Sequence, residues 1–168
     1  MSFNKREKLP YRKNCEGYFL DDKGNILAQD SKKGYIIFPG GGIEEGESPE
    51  QGLLRETFEE TGTIVEGKLE ELGVLHTLWG TNWAKTDKQR ERYKKFKGDE
   101  MHFFVGRIKR FEEPKSEEDT WKGEKLMPIV KAIEIIENSK PFSKTSEEYY
   151  AFQLRIIRSL SKNEEVFS

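Results

Sequence analysis

Three carboxylates, Glu56, Glu59 and Glu60, stand at i, i+3 and i+4 in this chain. Arg55 lies beside them, and a glycine triplet, Gly40, Gly41 and Gly42, lies upstream. On a helix this spacing brings the acids onto one face. Their charges repel and raise each other's proton affinity unless a cation intervenes. Hard oxygen ligands of this kind suit Mg2+ or Mn2+ rather than zinc, and no Cys/His cluster offers another site. For three glutamates taken alone, a solvated helix face is the plain alternative. The glycines in front and the arginine within weigh towards a site.

The helix that must present these acids is signalled locally. Ser48 is a good N-cap, Pro49 fits the first helical position, and Gln51 completes a capping box. Gly62 supplies the stop in the left-handed conformation. The expected span is 49–61, with Leu54 and Phe58 on the packing face and Leu53 nearby. Gly52 sits one turn before Glu56 on the acidic side. A mid-helix glycine costs about 1 kcal/mol relative to alanine, which fits a surface where bulk is unwelcome.

Residues 41–63 resemble a Nudix box, whose pattern is G-x5-E-x7-R-E-U-x-E-E-x-G-U with U aliphatic. Gly41, Glu47, Arg55, Glu56, Glu59, Glu60 and Gly62 stand at the required spacing. Thr57 and Thr63 depart from it, both at packing positions. The resemblance implies that Glu56, Glu59 and Glu60 bind Mg2+ (or Mn2+), with Glu56 also helping to activate water. It implies that Arg55 and Glu47 tie the loop to the helix, and that the backbone of Gly40, Gly41 and Gly42 approaches metal and phosphate. The implied reaction is hydrolysis of a diphosphate linkage in a nucleoside diphosphate derivative, including a nucleoside triphosphate or a dinucleoside polyphosphate. A catalytically silent Nudix-like module that binds a nucleotide is the rival from another class; such modules usually lose box carboxylates, and this chain keeps them. The implied fold is an α/β/α sandwich, a mixed β-sheet flanked by helices.

The rest of the chain fits one domain over 1–168. Charged residues make up 36% and aromatic residues 12%, with a formal net charge of −2, and the mean hydropathy is −0.84. This composition describes a foldable, water-facing chain with no general polyanion-binding signature. No apolar run approaches membrane-spanning length and no signal-peptide pattern opens the chain. A cytoplasmic location with no membrane partner is the expectation. The single cysteine, Cys15, reads as a small core residue.

Residues 1–11 read as a loosely held basic arm. Strands are expected over 15–20 and 25–29 around a turn at 21–24, then over 35–38, 69–79 and 101–108, with an edge piece at 121–126. Val130, Ile133 and Ile136 follow a helical period over 127–137. A third helix is expected over 145–160, opened by a Thr145 and Glu148 capping box.

Residues 79–100 form a basic and aromatic insertion. Lys85, Lys88, Arg90, Arg92, Lys94, Lys95 and Lys97 interleave with Trp79, Trp83, Tyr93 and Phe96. Three readings stand side by side: a solvated helical insertion, a lid whose cations meet phosphates and whose aromatics stack on a base, or an RNA-contacting surface. Glu100 is a candidate additional ligand or base, whereas His76 and His102 read as sheet residues. The entry Tyr11-Arg12-Lys13-Asn14 faintly resembles that of dinucleoside-polyphosphate and RNA 5′-end hydrolases. The expected partner is a small nucleotide, with an RNA 5′ end as a weaker expectation.

Overall fold

The computed structural model describes residues 3–114, 120–139 and 144–167. In chain order the elements are α1 (Phe3–Glu7), β1 (Tyr11–Leu20), β2 (Asn25–Leu27), β3 (Gln29–Asp30), β4 (Ile36–Ile37), β5 (Gly40–Gly42) and α2 (Pro49–Thr61). These are followed by β6 (Thr63–Leu78), α3 (Asp87–Lys95), β7 (Gly98–Phe111), β8 (Leu126–Pro128), α4 (Ile129–Glu137) and α5 (Lys144–Phe167).

Strand β1 is the spine of the main sheet. The order is β6-β7-β1-β2-β8, with β5 also paired to β1. β7 runs parallel to β1, from Tyr11 opposite Gly98 to Leu20 opposite Arg107. β2 and β5 run antiparallel to β1, at Leu20 and at Asn14 to Glu16 respectively. The sheet is therefore mixed. β3 and β4 make a separate two-stranded ribbon.

Alternation along β1 builds two cores. Cys15 and Phe19 join Leu27, Leu53 and Phe104 under α2. Tyr18 and Leu20 point the other way and join Ile26, Phe103, Ile136 and Ile157 under α4 and α5. A helix on one face and two on the other give the expected α/β/α sandwich.

Helix α2 runs over the expected span, with Ser48 accepting from the Gln51 backbone and Gln51 returning to Ser48. Its packing face differs from the sequence reading. Gly52, Leu53, Thr57 and Thr61 are buried, while Leu54 is exposed. The sheet sets the face, and small threonines fit beneath the helix where a purely apolar pattern overlooks them. Likewise Ile129, Ala132 and Ile136 form the buried stripe of α4, and Val130 faces out.

The expected basic arm contains a helix. Arg6 of α1 donates to the carbonyls of Tyr93 at 2.6 Å and Phe96 at 3.3 Å, fastening α1 to the insertion. Strands β6 and β7 are longer than expected, and β6 carries register shifts between residues 64 and 73. Its half-exposed, glutamate-rich start hid it from a hydrophobic pattern. Helix α5 begins at Lys144; the side chain of Thr145, and so the expected cap, lies outside the described residues. Among the described residues no helix is long and apolar enough to cross a membrane.

Candidate active site

The site begins where β5 hands the chain to α2. β5 lies against β1, with Gly41 opposite Cys15, and the Cys15 thiol donates to the Gly41 carbonyl at 3.4 Å. Burial pushes this thiol up to about 12, so Cys15 anchors the turn and is no nucleophile. A Cβ at Gly41 would sit 2.8 Å from the Glu56 carboxyl carbon. Only a residue without a side chain lets α2 bring that carboxylate onto the backbone.

Arg55 organises the acidic loop and helix. Its Nε donates to Glu47 Oε2 at 2.8 Å and its NH2 to Glu47 Oε1 at 3.0 Å. NH1 donates to Glu56 Oε1 at 3.1 Å and Glu59 Oε2 at 3.3 Å, and NH2 also meets the Gly42 carbonyl at 3.1 Å. One planar fork thus joins loop, turn and helix, a task a lysine cannot copy. The Arg55 hydrogen bonds, helped by the Glu44 N–H, hold the Glu47 carboxyl below its ordinary range. Glu47 in turn raises the affinity of Arg55 for its proton.

Glu60 closes the far side. Its Oε1 accepts the Gly40 N–H at 3.0 Å and its Oε2 accepts the Trp121 indole N–H at 3.3 Å. The Trp121 backbone N–H also donates to the Glu60 carbonyl at 2.8 Å. Glu56 and Glu60 therefore meet the same short stretch of β5, while Glu59 leans on Arg55. Among the described residues no three His, Cys, Asp or Glu side chains are already gathered at the reach of one ion; protein donors hold each carboxylate. An all-carboxylate set over a glycine cradle nevertheless has the chemistry of a hard divalent cation.

Glu100 lies between two histidines. It accepts from His76 Nε2 at 3.0 Å across the β6–β7 ladder and from His102 Nε2 at 2.9 Å two residues along β7, bonds that hold its carboxyl below the ordinary range.

Sequence reasoning missed two supports. Trp121 sits in a polar loop with no pattern to mark it. The other is a chain of polar contacts in which Trp79 Nε1 donates to Asp99 Oδ2 at 2.8 Å, Asn14 Nδ2 donates to Asp99 Oδ1 and Arg12 NH1 donates to Asn14 Oδ1. Counting alternate residues back from buried Phe103 would have placed Asp99 on that face, opposite Glu100.

The chain is 45% identical over 53 residues to an RNA pyrophosphohydrolase of Actinobacillus succinogenes, covering 31% of this chain and 27% of that protein. It is 41% identical over 83 residues to an RNA pyrophosphohydrolase of Dinoroseobacter shibae, covering 47% and 48%. The matches thus span less than half of either curated relative. The fold resembles a Bacillus subtilis pyrophosphohydrolase with a TM-score of 0.52 and 24% identity, covering 75% of this chain and 68% of that one. It also resembles a NUDIX hydrolase from Nitrosomonas europaea with a TM-score of 0.52 and 17% identity, covering 84% and 89%. The family model of the NUDIX domain matches residues 11–151, and the chain that folds Arg55, the glycine turn and the acidic helix together belongs to that family.

Proposed function

We propose that this protein is a divalent-metal-dependent pyrophosphohydrolase that cleaves a diphosphate linkage in a nucleoside diphosphate derivative, with 5′-triphosphorylated RNA among its substrates. The observation that carries the reading is the Arg55 fork: one guanidinium fixes Glu47, Glu56 and Glu59 beside the glycine turn that also receives Glu60. The names of the curated relatives support the RNA 5′ end. Residues 1–168 act as one catalytic domain in the cytoplasm, with 79–100 as an insertion.

Glu56, Glu59 and Glu60 would hold Mg2+ or Mn2+, which supplies charge neutralisation on phosphate oxygens and a water of lowered pKa. Glu56 is the base that takes a proton from the attacking water. Arg55 and Glu47 position that carboxylate, and the backbone of Gly40, Gly41 and Gly42 lets phosphate approach the acidic face. Cys15 braces the turn and Trp121 holds Glu60 against it.

The test is release of phosphate and pyrophosphate from a panel of nucleoside triphosphates, dinucleoside polyphosphates and 5′-triphosphorylated RNA with Mg2+. Glu56→Gln is expected to fold and to lose about 10²- to 10³-fold in turnover, the effect of removing one strong transition-state contact. Normal turnover in this variant overturns the assignment. Nucleotide binding with no hydrolysis by the unaltered protein would favour the silent module.

A further inference from the structure

A cavity of about 340 Å³ opens between α1, the end of β6 and α3, lined by Arg6, Leu78, Trp79, Thr81, Tyr93 and Lys97, with Glu7 at its edge. Its walls are flat and apolar, and its rim is cationic. Leu78 is 59% exposed at the strand end, a large apolar side chain left uncovered beside two aromatic residues. The Arg6 guanidinium stacks 3.3 Å over the Tyr93 ring and so braces one wall. Trp79 stacks on Trp83 at 3.7 Å with the planes 2° apart, bracing another. The volume lies near the lower end of the range for small-molecule sites, about 300 Å³ and upwards, which suits a single nucleoside.

The cavity communicates with the acidic helix through named groups. The Trp79 indole N–H is bonded to Asp99, Asp99 to Asn14, and Asn14 to Arg12. Arg12 lies over the glycine turn: a Cβ on Gly42 would sit 2.5 Å from its NH2. Burial first, and then the nearby charge of Arg92 on α3, lower the affinity of Arg12 for its proton, while Asp99 and Glu56 act the other way. The Arg12 guanidinium thus stands beside the glycine turn at the end of this chain of contacts, with the charge of Arg92 acting on it from α3. A cation beside the glycine turn favours an anion there.

We propose that this cavity seats the nucleobase of the substrate, with its 5′ phosphates running past Arg92 and Arg12 to the acidic face of α2. This rests on the pyrophosphohydrolase reading and deepens it, since it assigns the substrate's organic half to α1 and the 79–100 insertion. The shared chemistry is a base carrying 5′ phosphates, whether on a free nucleotide or on the first residue of an RNA.

The test has a binding arm and a kinetic arm. In the first, adenosine and guanosine 5′-monophosphate are titrated calorimetrically into the protein without added metal. Tyr93→Ala and Leu78→Ser, both at partly or fully exposed positions, should weaken binding about tenfold, as expected when one stacking or apolar wall is lost. In the second, the same variants are assayed on ATP, on 5′-triphosphorylated RNA and on base-free inorganic tripolyphosphate. KM for ATP or for the RNA should rise about tenfold with kcat nearly unchanged, the signature of lost uniform binding, and tripolyphosphate kinetics should not move. A rise with ATP assigns the seat to free nucleotides, and a rise with RNA alone assigns it to the RNA end; either supports the proposal. Monophosphate binding untouched by both substitutions, or a tripolyphosphate KM raised as much as that of ATP, overturns it. If nothing is hydrolysed but the monophosphates bind and the variants weaken them, the seat stands and the pyrophosphohydrolase reading falls.

Discussion

Arg55 grips Glu47 with two nitrogens on two oxygens, at 2.8 and 3.0 Å, and spends its remaining donors on Glu56, Glu59 and the Gly42 carbonyl. The pair is partly shielded, and its value lies in geometry more than in stability. Arg55→Lys keeps the charge and loses the fork. Turnover should fall about 10²-fold, the scale of a roughly 1 Å misplacement of a reacting group, with little change in KM or melting temperature. Steady-state kinetics and thermal denaturation check this, and a turnover matching the unaltered protein would count against a positioning role.

Gly41→Ala tests the cradle from the opposite side. The three atoms nearest the added Cβ all belong to the end of the Glu56 side chain, so the carboxylate can swing away and the fold should hold. Turnover should drop towards the level of Glu56→Gln while the melting temperature moves by only a few degrees. Circular dichroism alongside the phosphate-release assay separates the two effects.

Thr57 is fully buried, and among the described residues its hydroxyl has no hydrogen-bond partner. Thr57→Val keeps the shape and removes an unsatisfied polar group, which costs about 1–3 kcal/mol when buried. The substitution should raise the melting temperature by about 2–4 °C for each kcal/mol recovered. Activity should be unchanged, because the side chain points into the core and away from the acids.

Glu16 gives the fold a distinctive pH response. It is buried, and its carboxyl accepts from Tyr18, Tyr149 and Gln153. Burial raises its pKa above the ordinary 4.5, against the three hydrogen bonds. The folded state therefore binds this proton more tightly than the unfolded chain. The contribution is full below the unfolded value and is lost as pH rises through the folded one. Glu47 and Glu100 act oppositely, since their lowered values remove stability as pH falls. The Glu16 term is isolated by difference: Glu16→Gln should gain melting temperature relative to the unaltered protein as pH rises above about 4.5. A constant difference from pH 4 to 8 would show that folding leaves the proton affinity of Glu16 unchanged and would overturn this reading.

The acidic helix was legible because its signals are local. Ser48, Gln51 and Gly62 act within one turn of the backbone they cap, and the box residues fall at fixed offsets. Its buried face was not legible, because Thr57 and Thr61 face inward only once β1 and β7 supply Cys15, Phe19 and Phe104 beneath them. The same holds for Val130, which shares the period of Ile133 yet turns outward when α4 meets α5. The partners of Asp99 and Trp121 were invisible for a further reason: they lie 85 and 61 residues away, and although alternation gives the face of Asp99, no spacing encodes such a meeting. The box predicts who the acids are; the sheet decides what stands around them.

The insertion leaves and re-enters the sheet at one point. Leu78 is the register partner of Gly98, and the next rung is closed by the Trp79 N–H on the Lys97 carbonyl at 3.0 Å. Residues 79–97 are thus an excursion from a sealed hairpin stem. Doubling the length of such an excursion adds only about 0.6 kcal/mol of closure entropy, and the Arg55 fork and the Glu60 contacts lie outside it. A change of length within residues 80–96 therefore leaves the stem, and with it the glycine turn and its acids, in the same frame.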